Sequence, residues 1–80
     1  MQQVDGKVET LLSEVLQMRA SEITDDLTMK NVDAWDSLKH MELIVALEQS
    51  FEIQLSFDEI VAMQSVSEIK RVLRERGVTG

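Results

Sequence analysis

The residues with the clearest chemical potential are Asp36, Ser37 and Leu38, at the start of a long run of helix-forming residues. Residues 37–51 contain neither Gly nor Pro, and Asp36 is a typical N-cap residue, so the sequence predicts a helix whose first turn contains Ser37. A first turn presents backbone N–H groups without intrahelical partners and the positive end of the helix dipole. Both features favour a phosphate group there, which makes the Ser37 hydroxyl a candidate attachment point for a phosphate ester.

The predicted helix over residues 37–51 has two separate apolar faces, because a helix turns by about 100° per residue. The first face consists of Leu43, Ile44, Leu47 and Phe51. The second face, called the apolar strip below, consists of Leu38, Met41 and Val45, and it is bordered by Glu42 and Glu48. A small domain has difficulty burying both faces. A stripe with this spacing is ordinarily core, but the competing first face leads us to expect a partly exposed docking strip for partner proteins.

The composition restricts the remaining chemistry. With 44% hydrophobic and 29% charged residues, the 80 residues are expected to form one globular domain. We also expect the protein to act as a monomer. The chain has no Cys and one His, which excludes disulfides and cysteine nucleophiles and leaves no set of zinc ligands. No apolar run reaches the roughly 18 residues needed to span a bilayer, and no signal peptide opens the chain, so we expect a cytoplasmic protein.

Charge is distributed unevenly along the chain. The formal net charge is −7, but residues 1–69 contain 14 acidic and 4 basic side chains, whereas residues 70–80 contain 1 acidic and 4 basic. Nucleic acids and anionic membranes select basic surfaces, so neither is an expected partner. Protein partners of the acidic part are expected to have basic docking surfaces.

Three further helices are predicted. Apolar residues recur at helical spacing over residues 4–18. Residues 56–59 and 65–68 both have the Ser-x-x-Glu pattern of a capping box, which predicts a short helix ending near Met63 and a last helix stopped by Gly77. No segment has a strand pattern. The sequence therefore predicts an all-α fold, a small four-helix bundle of three main helices and one short helix.

A long loop, residues 19–35, connects the first two predicted helices. It lacks apolar periodicity and is rich in Ser, Thr, Asn and Asp. Loops of this length in compact domains are usually functional or held by buried anchors. The expected anchors are Ile23, Leu27, Val32 and Trp35. A short helical turn within the loop is also compatible with its sequence.

His40 is the single histidine, and it projects towards the core side of the helix over residues 37–51. We interpret it as a buried or boundary imidazole and not as a general base, because no second residue is placed to orient it. Trp35, the single tryptophan, is interpreted as a packing anchor for the loop; the alternative is that it contacts a group attached to Ser37.

Taken together, these residues resemble the acyl carrier protein family. The resemblance rests on Asp36-Ser37-Leu38, on Glu42-Leu43, and on Phe51-Glu52-Ile53 at the end of the apolar helix, and it covers roughly residues 4–76 of a single domain, residues 1–80. It implies a four-helix protein that is not an enzyme, in which Ser37 carries 4′-phosphopantetheine and the terminal thiol of this group holds the cargo as a thioester. It also implies that Asp36 assists recognition by the phosphopantetheinyl transferase. The other implied partners are an acyl- or aminoacyl-loading ligase and downstream synthase or transferase enzymes.

Several positions depart from the carriers of primary fatty acid synthesis. Those carriers usually have Gly-Ala directly before Asp-Ser-Leu, whereas this chain has Trp35 there. Lys39 and Gln49 stand where those carriers commonly have acids, and Ser56 replaces a Pro that often precedes the third helix. We interpret the chain as a specialised, stand-alone carrier for a dedicated lipid, polyketide or aminoacyl pathway.

Two alternative functions stay open at the level of sequence. An aminoacyl or peptidyl carrier protein differs from an acyl carrier only in its cargo and partners. A helical protein-interaction adaptor would use the apolar strip without any prosthetic group. Incubation with coenzyme A and a phosphopantetheinyl transferase distinguishes a carrier of any cargo from an adaptor, because only a carrier would gain mass.

Overall fold

The computed structural model describes residues 4–77, with side chains from residue 6 onward, and this part of the chain folds into four α-helices. Their bounds are Val4–Leu16 (α1), Ser37–Phe51 (α2), Phe57–Ala62 (α3) and Val66–Glu75 (α4). A short 3-10 helix, Ala20–Glu22, lies in the connection between α1 and α2. The described residues contain no strand, only one isolated antiparallel bridge between Thr28 and Ser65. The predicted all-α fold with three main helices and one short helix is confirmed.

One continuous core is formed by the facing sides of α1, α2 and α4, to which the loop and the segment around α3 contribute. The largest fully buried side chains are Trp35, Leu12, Leu43, Ile44, Leu47, Met63, Ile69 and Leu73. Burial of Ile23, Val32 and Trp35 confirms them as loop anchors, and Leu27 packs partly buried against the same core. The face of α2 that was predicted to pack in the core therefore does so.

Backbone hydrogen bonds hold the long loop against the connection between α3 and α4. Met29 N–H donates to the carbonyl of Gln64, and Val66 N–H donates to the carbonyl of Leu27, both at 3.0 Å. Nothing in the side-chain pattern of the loop indicates this pairing, because the groups involved are backbone groups that every residue carries. The loop that precedes Ser37 is thus fixed by hydrogen bonds as well as by its apolar anchors.

The helix starts and ends show which local signals the fold uses. Ser56 and Glu59 form the predicted capping box, with Ser56 N–H donating to the Glu59 carboxylate at 2.9 Å. At Ser65 only half of the predicted box is present: its hydroxyl accepts the N–H of Glu68, but the Glu68 carboxylate pairs with Arg71 instead.

Two helices end in a left-handed residue that is not glycine. The first helix ends at Leu16, two residues before the predicted end, because Gln17 has φ 57° and the chain turns away. Glu52 also adopts a left-handed conformation, with φ 55°, directly after the last residue of α2. Gly77, with φ 79°, follows α4 as predicted.

No helix within residues 4–77 is long and apolar enough to cross a bilayer.

Candidate functional site

Ser37 is the first residue of α2, and Asp36 is its N-cap. The Asp36 backbone is extended, and its carboxylate accepts the backbone N–H of Lys39 at 2.9 Å. The carbonyl of Asp36 accepts the N–H of His40 at 2.8 Å, which is the first intrahelical bond. Ser37 is exposed to solvent. The predicted helix start is confirmed, and it presents the serine at a position that an enzyme can reach.

The apolar strip lies on the solvent side of α2, beside Ser37. Leu38 is 68% exposed, Met41 50% and Val45 48%. The opposite face of the same helix is buried in the core, as shown by Leu43 and Leu47 at 0% exposure. Exposure of the strip agrees with the expectation from the two-faced pattern, whereas its use by partner proteins stays a prediction.

The two acidic residues at the border of the apolar strip differ in their surroundings. Glu42 is exposed, and its carboxylate lies 3.5 Å from the ammonium group of Lys39. Glu48 is partly buried, and its carboxylate accepts the N–H of Leu55 at 2.9 Å, which fixes the chain between α2 and α3. Of the two, Glu42 is the carboxylate more available to a partner, while Glu48 has a structural contact that the sequence did not indicate.

A second exposed apolar pair lies on α3 and was not singled out from the sequence. Phe57 is 77% exposed and Val61 47%, one helical turn apart. Their spacing at i and i+4 is a signal that could have found them, but on so short a helix it is easily attributed to the core.

His40 and Trp35 form a buried hydrogen-bonded pair around the start of α2. The indole N–H of Trp35 donates to Nδ1 of His40 at 3.1 Å, and Nε2 of His40 lies 2.8 Å from the carbonyl oxygen of Ile60 in α3. The imidazole is buried, as expected from its side of the helix. The expectation that no residue orients it is wrong, because both ring nitrogens have partners.

The sequence matches a family model described as "Phosphopantetheine attachment site" over residues 6–73. One similar curated protein is an acyl carrier protein from Guillardia theta, 32% identical over 72 residues that make up 90% of this chain and 85% of that protein. The chain belongs to the acyl carrier protein family. Members of this family are carriers and not catalysts, and their prosthetic group is 4′-phosphopantetheine.

The carrier is also similar to a segment of a much larger enzyme, the non-reducing polyketide synthase pigA of Monascus ruber. The identity is 33% over 72 residues, which are 90% of the carrier but only 3% of that synthase. A solved structure of a protein described as an acyl carrier protein, from Mycobacterium tuberculosis, matches with a TM-score of 0.80 at 23% identity. The match covers 90% of this chain and 96% of that one, and it shows that the fold is shared.

The surroundings of Ser37 fit a phosphodiester-linked group. The hydroxyl is on an exposed residue, so the arm can extend into solvent without displacing core side chains. The linked phosphate would lie at the N-terminus of a 15-residue helix, where the helix dipole favours negative charge.

Proposed function

We propose that Ser37 carries 4′-phosphopantetheine and that the carrier holds its cargo on this group. The observation that supports the assignment most directly is an exposed serine at the first position of α2, capped by Asp36, within the part of the chain that matches the attachment-site model. The other serines at helix starts have a different role. Ser56 and Ser65 are N-caps, and their hydroxyl oxygens accept backbone N–H groups.

Asp36, the prosthetic group and the folded chain have different roles in this function. Asp36 fixes the start of α2 and contributes to recognition by the phosphopantetheinyl transferase. The prosthetic group, when bound, supplies a thiol that holds an acyl or related intermediate as a thioester. The folded chain keeps Ser37 at a surface where separate enzymes can reach the cargo, and it performs no chemistry on that cargo itself.

Partner enzymes would dock on α2 through the apolar strip and Glu42. Exposed Leu38, Met41 and Val45 supply apolar contact area, and the acidic border selects partners with basic docking surfaces. The expected partners are the phosphopantetheinyl transferase, an acyl- or aminoacyl-loading ligase, and downstream synthase or transferase enzymes. Glu48 would contribute less to docking than Glu42, because its carboxylate already binds the N–H of Leu55.

The pathway is proposed to be a specialised one, in which the protein acts as a monomeric, cytoplasmic carrier. Lys39 supports this view, since it puts a positive charge two residues after Ser37 and pairs with Glu42. The similarity to a segment of a polyketide synthase is compatible with a polyketide pathway, as the similarity to an acyl carrier protein is with a lipid pathway. A carrier of aminoacyl or peptidyl groups is the alternative with a different cargo. Membership of the carrier family argues against a helical adaptor without a prosthetic group.

The assignment of Ser37 is tested by intact mass after incubation with coenzyme A and a phosphopantetheinyl transferase. We expect the wild type to gain the mass of one phosphopantetheine and Ser37→Ala to gain none. The exposed Ser21, in the 3-10 helix, provides a matched control, and Ser21→Ala should be modified like the wild type. Since Asp36 still caps α2 in Ser37→Ala, the free energy of unfolding should change by less than about 0.5 kcal/mol. Modification of Ser37→Ala at another residue would refute the assignment.

A further inference from the structure

Trp35 and His40 flank the proposed attachment residue, two positions before and three positions after Ser37. Their side chains are almost fully buried, with 1% and 7% exposure, and they are joined by the 3.1 Å bond from the indole N–H to Nδ1. The other imidazole nitrogen lies 2.8 Å from the carbonyl oxygen of Ile60. The His40 imidazole, on α2, therefore links Trp35, which precedes this helix, to Ile60 in α3.

The pattern of donors and acceptors fixes the state of the imidazole. An indole nitrogen can only donate, so Nδ1 of His40 must accept and cannot carry a proton. Nε2 then carries the proton and donates to the carbonyl of Ile60. Both ring nitrogens are therefore used in hydrogen bonds, Nδ1 as the acceptor and Nε2 as the donor.

This bridge restrains the segment that contains Ser37 from both sides. Trp35 is also held by its backbone N–H, which donates to the carbonyl of Val32 at 3.0 Å, and His40 by its backbone N–H, which donates to that of Asp36 at 2.8 Å. The side-chain bond from Trp35 to His40 closes a ring across the intervening residues 36–39, and the bond to Ile60 sets that ring relative to α3. A buried directional network of this kind specifies one geometry, whereas apolar side chains would fill the same space without fixing an angle.

We propose that Trp35 and His40 are positioning residues for the modification of Ser37. They hold the start of α2 in one orientation relative to α3, so that a transferase docked on this surface meets the Ser37 hydroxyl at the reacting distance. Neither side chain needs to touch the hydroxyl or the incoming group. The inference rests on the proposed function of Ser37, and it adds that the rate of loading depends on a buried side-chain pair outside the exposed motif.

The test uses three variants of the pair and one matched control. His40→Leu removes both side-chain bonds, and Trp35→Phe removes only the indole donor. His40→Gln has an amide oxygen that can accept from the indole and an amide N–H that can donate to the Ile60 carbonyl, so it should rescue the bridge. Ile69→Val, in the fully buried part of α4, is the control for a loss of stability without a change at the bridge.

The measurement is the steady-state rate of phosphopantetheine transfer at saturating coenzyme A, with the carrier concentration varied, well below the melting temperature of every variant. We expect kcat to fall by about tenfold to a hundredfold in His40→Leu, and by less in Trp35→Phe, because a small misplacement of a reacting group is costly. The KM for the carrier should change by less than about twofold, since the docking surface is intact. His40→Gln should recover most of the lost kcat, and Ile69→Val should match the wild type.

A spectroscopic measurement tests the bridge without any enzyme. Trp35 is the single tryptophan, so its indole N–H gives one NMR signal that reports on the bond to His40. Exchange of this proton with water should be slow in the wild type and in His40→Gln, and much faster in His40→Leu.

The outcomes separate the inference from the proposed function. Unchanged kcat in His40→Leu and Trp35→Phe, an equal fall in Ile69→Val, or a change in KM alone would overturn the inference while leaving Ser37 as the attachment site. No mass gain by the wild type would refute the proposed function and the inference with it. If His40→Leu loses its helical circular dichroism, the comparison of Trp35→Phe with the wild type decides.

Discussion

Lys39 changes the charge pattern immediately after Ser37. Its ammonium group lies 3.5 Å from the Glu42 carboxylate, and both side chains are partly exposed. An exposed pair of this kind contributes little to stability. It does offset part of the charge of Glu42, the exposed acidic residue at the border of the apolar strip, so a basic partner meets a weaker negative potential there than on an all-acidic helix.

The charge at position 39 should influence which partner enzymes accept the carrier. Lys39→Asp combined with Gln49→Glu should make the loaded carrier a better substrate for elongation enzymes of primary fatty acid synthesis, because it removes a repulsive charge and adds an attractive one on α2. The effect should be greatest on the association rate at low salt. Lys30→Asp with Gln54→Glu makes the same change of net charge at exposed positions outside α2 and is the matched control. Elongation rates decide: the idea fails if wild type already equals a primary carrier, or if both double variants improve equally.

The short helix α3 is joined to the end of α4 by a side-chain clamp. Arg76 donates to both carboxylate oxygens of Glu59, at 2.8 Å and 2.5 Å. The same carboxylate accepts the N–H of Ser56 at the start of α3. The bonds from Arg76, followed by that from Ser56, lower the pKa of Glu59 from 4.5 to about 2. A six-residue helix has little stability of its own, so such contacts hold it in place.

The contribution of this clamp to stability should therefore depend on pH. A carboxylate whose pKa is depressed in the folded state contributes stability above its unfolded pKa and loses it as the pH falls. For Glu59 this loss should occur between pH 4.5 and about 2. Glu59→Gln should be less stable than the wild type near neutral pH, and the difference should vanish towards pH 2. Urea denaturation over this range measures it.

Glu14→Gln, at an exposed position of α1, is the control for the loss of any carboxylate. The role of the clamp would be contradicted if the difference in the free energy of unfolding between wild type and Glu59→Gln did not depend on pH. It would also be contradicted if Glu14→Gln showed the same difference.

At the scale of the whole molecule, Lys70 connects three parts of the chain. Its ammonium group on α4 lies 2.6 Å from Asp25 in the long loop and 3.3 Å from Glu9 in α1. The lysine side chain is only 6% exposed, whereas that of Asp25 is 68% exposed and that of Glu9 34%. The buried partner of this triad is thus the cation, and the anions remain in contact with water.

This asymmetry predicts which substitution is more harmful. Asp25→Asn leaves the buried ammonium group with less compensating charge and should lower the free energy of unfolding by about 1–3 kcal/mol. Lys70→Met keeps the apolar stem and leaves two carboxylates that water can solvate, so it should cost less. Asp33→Asn, at another exposed position of the loop, should be near neutral. Chemical denaturation gives the ranking, and a Lys70→Met variant less stable than Asp25→Asn would refute the argument.

The net charge of −7 should make the melting temperature depend on salt concentration. Repulsion among the acidic side chains opposes compaction, and salt screens it over roughly 10 Å at 0.1 M. The melting temperature should rise between low and moderate NaCl, and equally in KCl, because screening depends on ionic strength and not on the cation. A flat or falling melting temperature would count against the explanation, and a rise in only one salt would indicate specific binding.

Features that depend on local signals could be predicted from the amino-acid sequence. The start of α2 followed from Asp36 and from the absence of Gly and Pro, and the start of α3 followed from the Ser56 capping box. The two-faced pattern of α2 was sufficient to separate the core face from the exposed apolar strip, because helical geometry fixes which residues share a side. The position of the candidate attachment serine belongs to this group.

Contacts between residues that are distant in the chain could not be predicted and are visible only in the folded protein. The Ile60 carbonyl that accepts the hydrogen bond from His40 Nε2 lies 20 residues further on, and the pairing of the loop with the α3–α4 connection uses backbone groups. The end of α1 at Leu16 was also not predicted, because Gln17 adopts a left-handed conformation that its residue type does not favour. A local pattern carries no record of which distant group completes a hydrogen bond, so these contacts required the assembled fold.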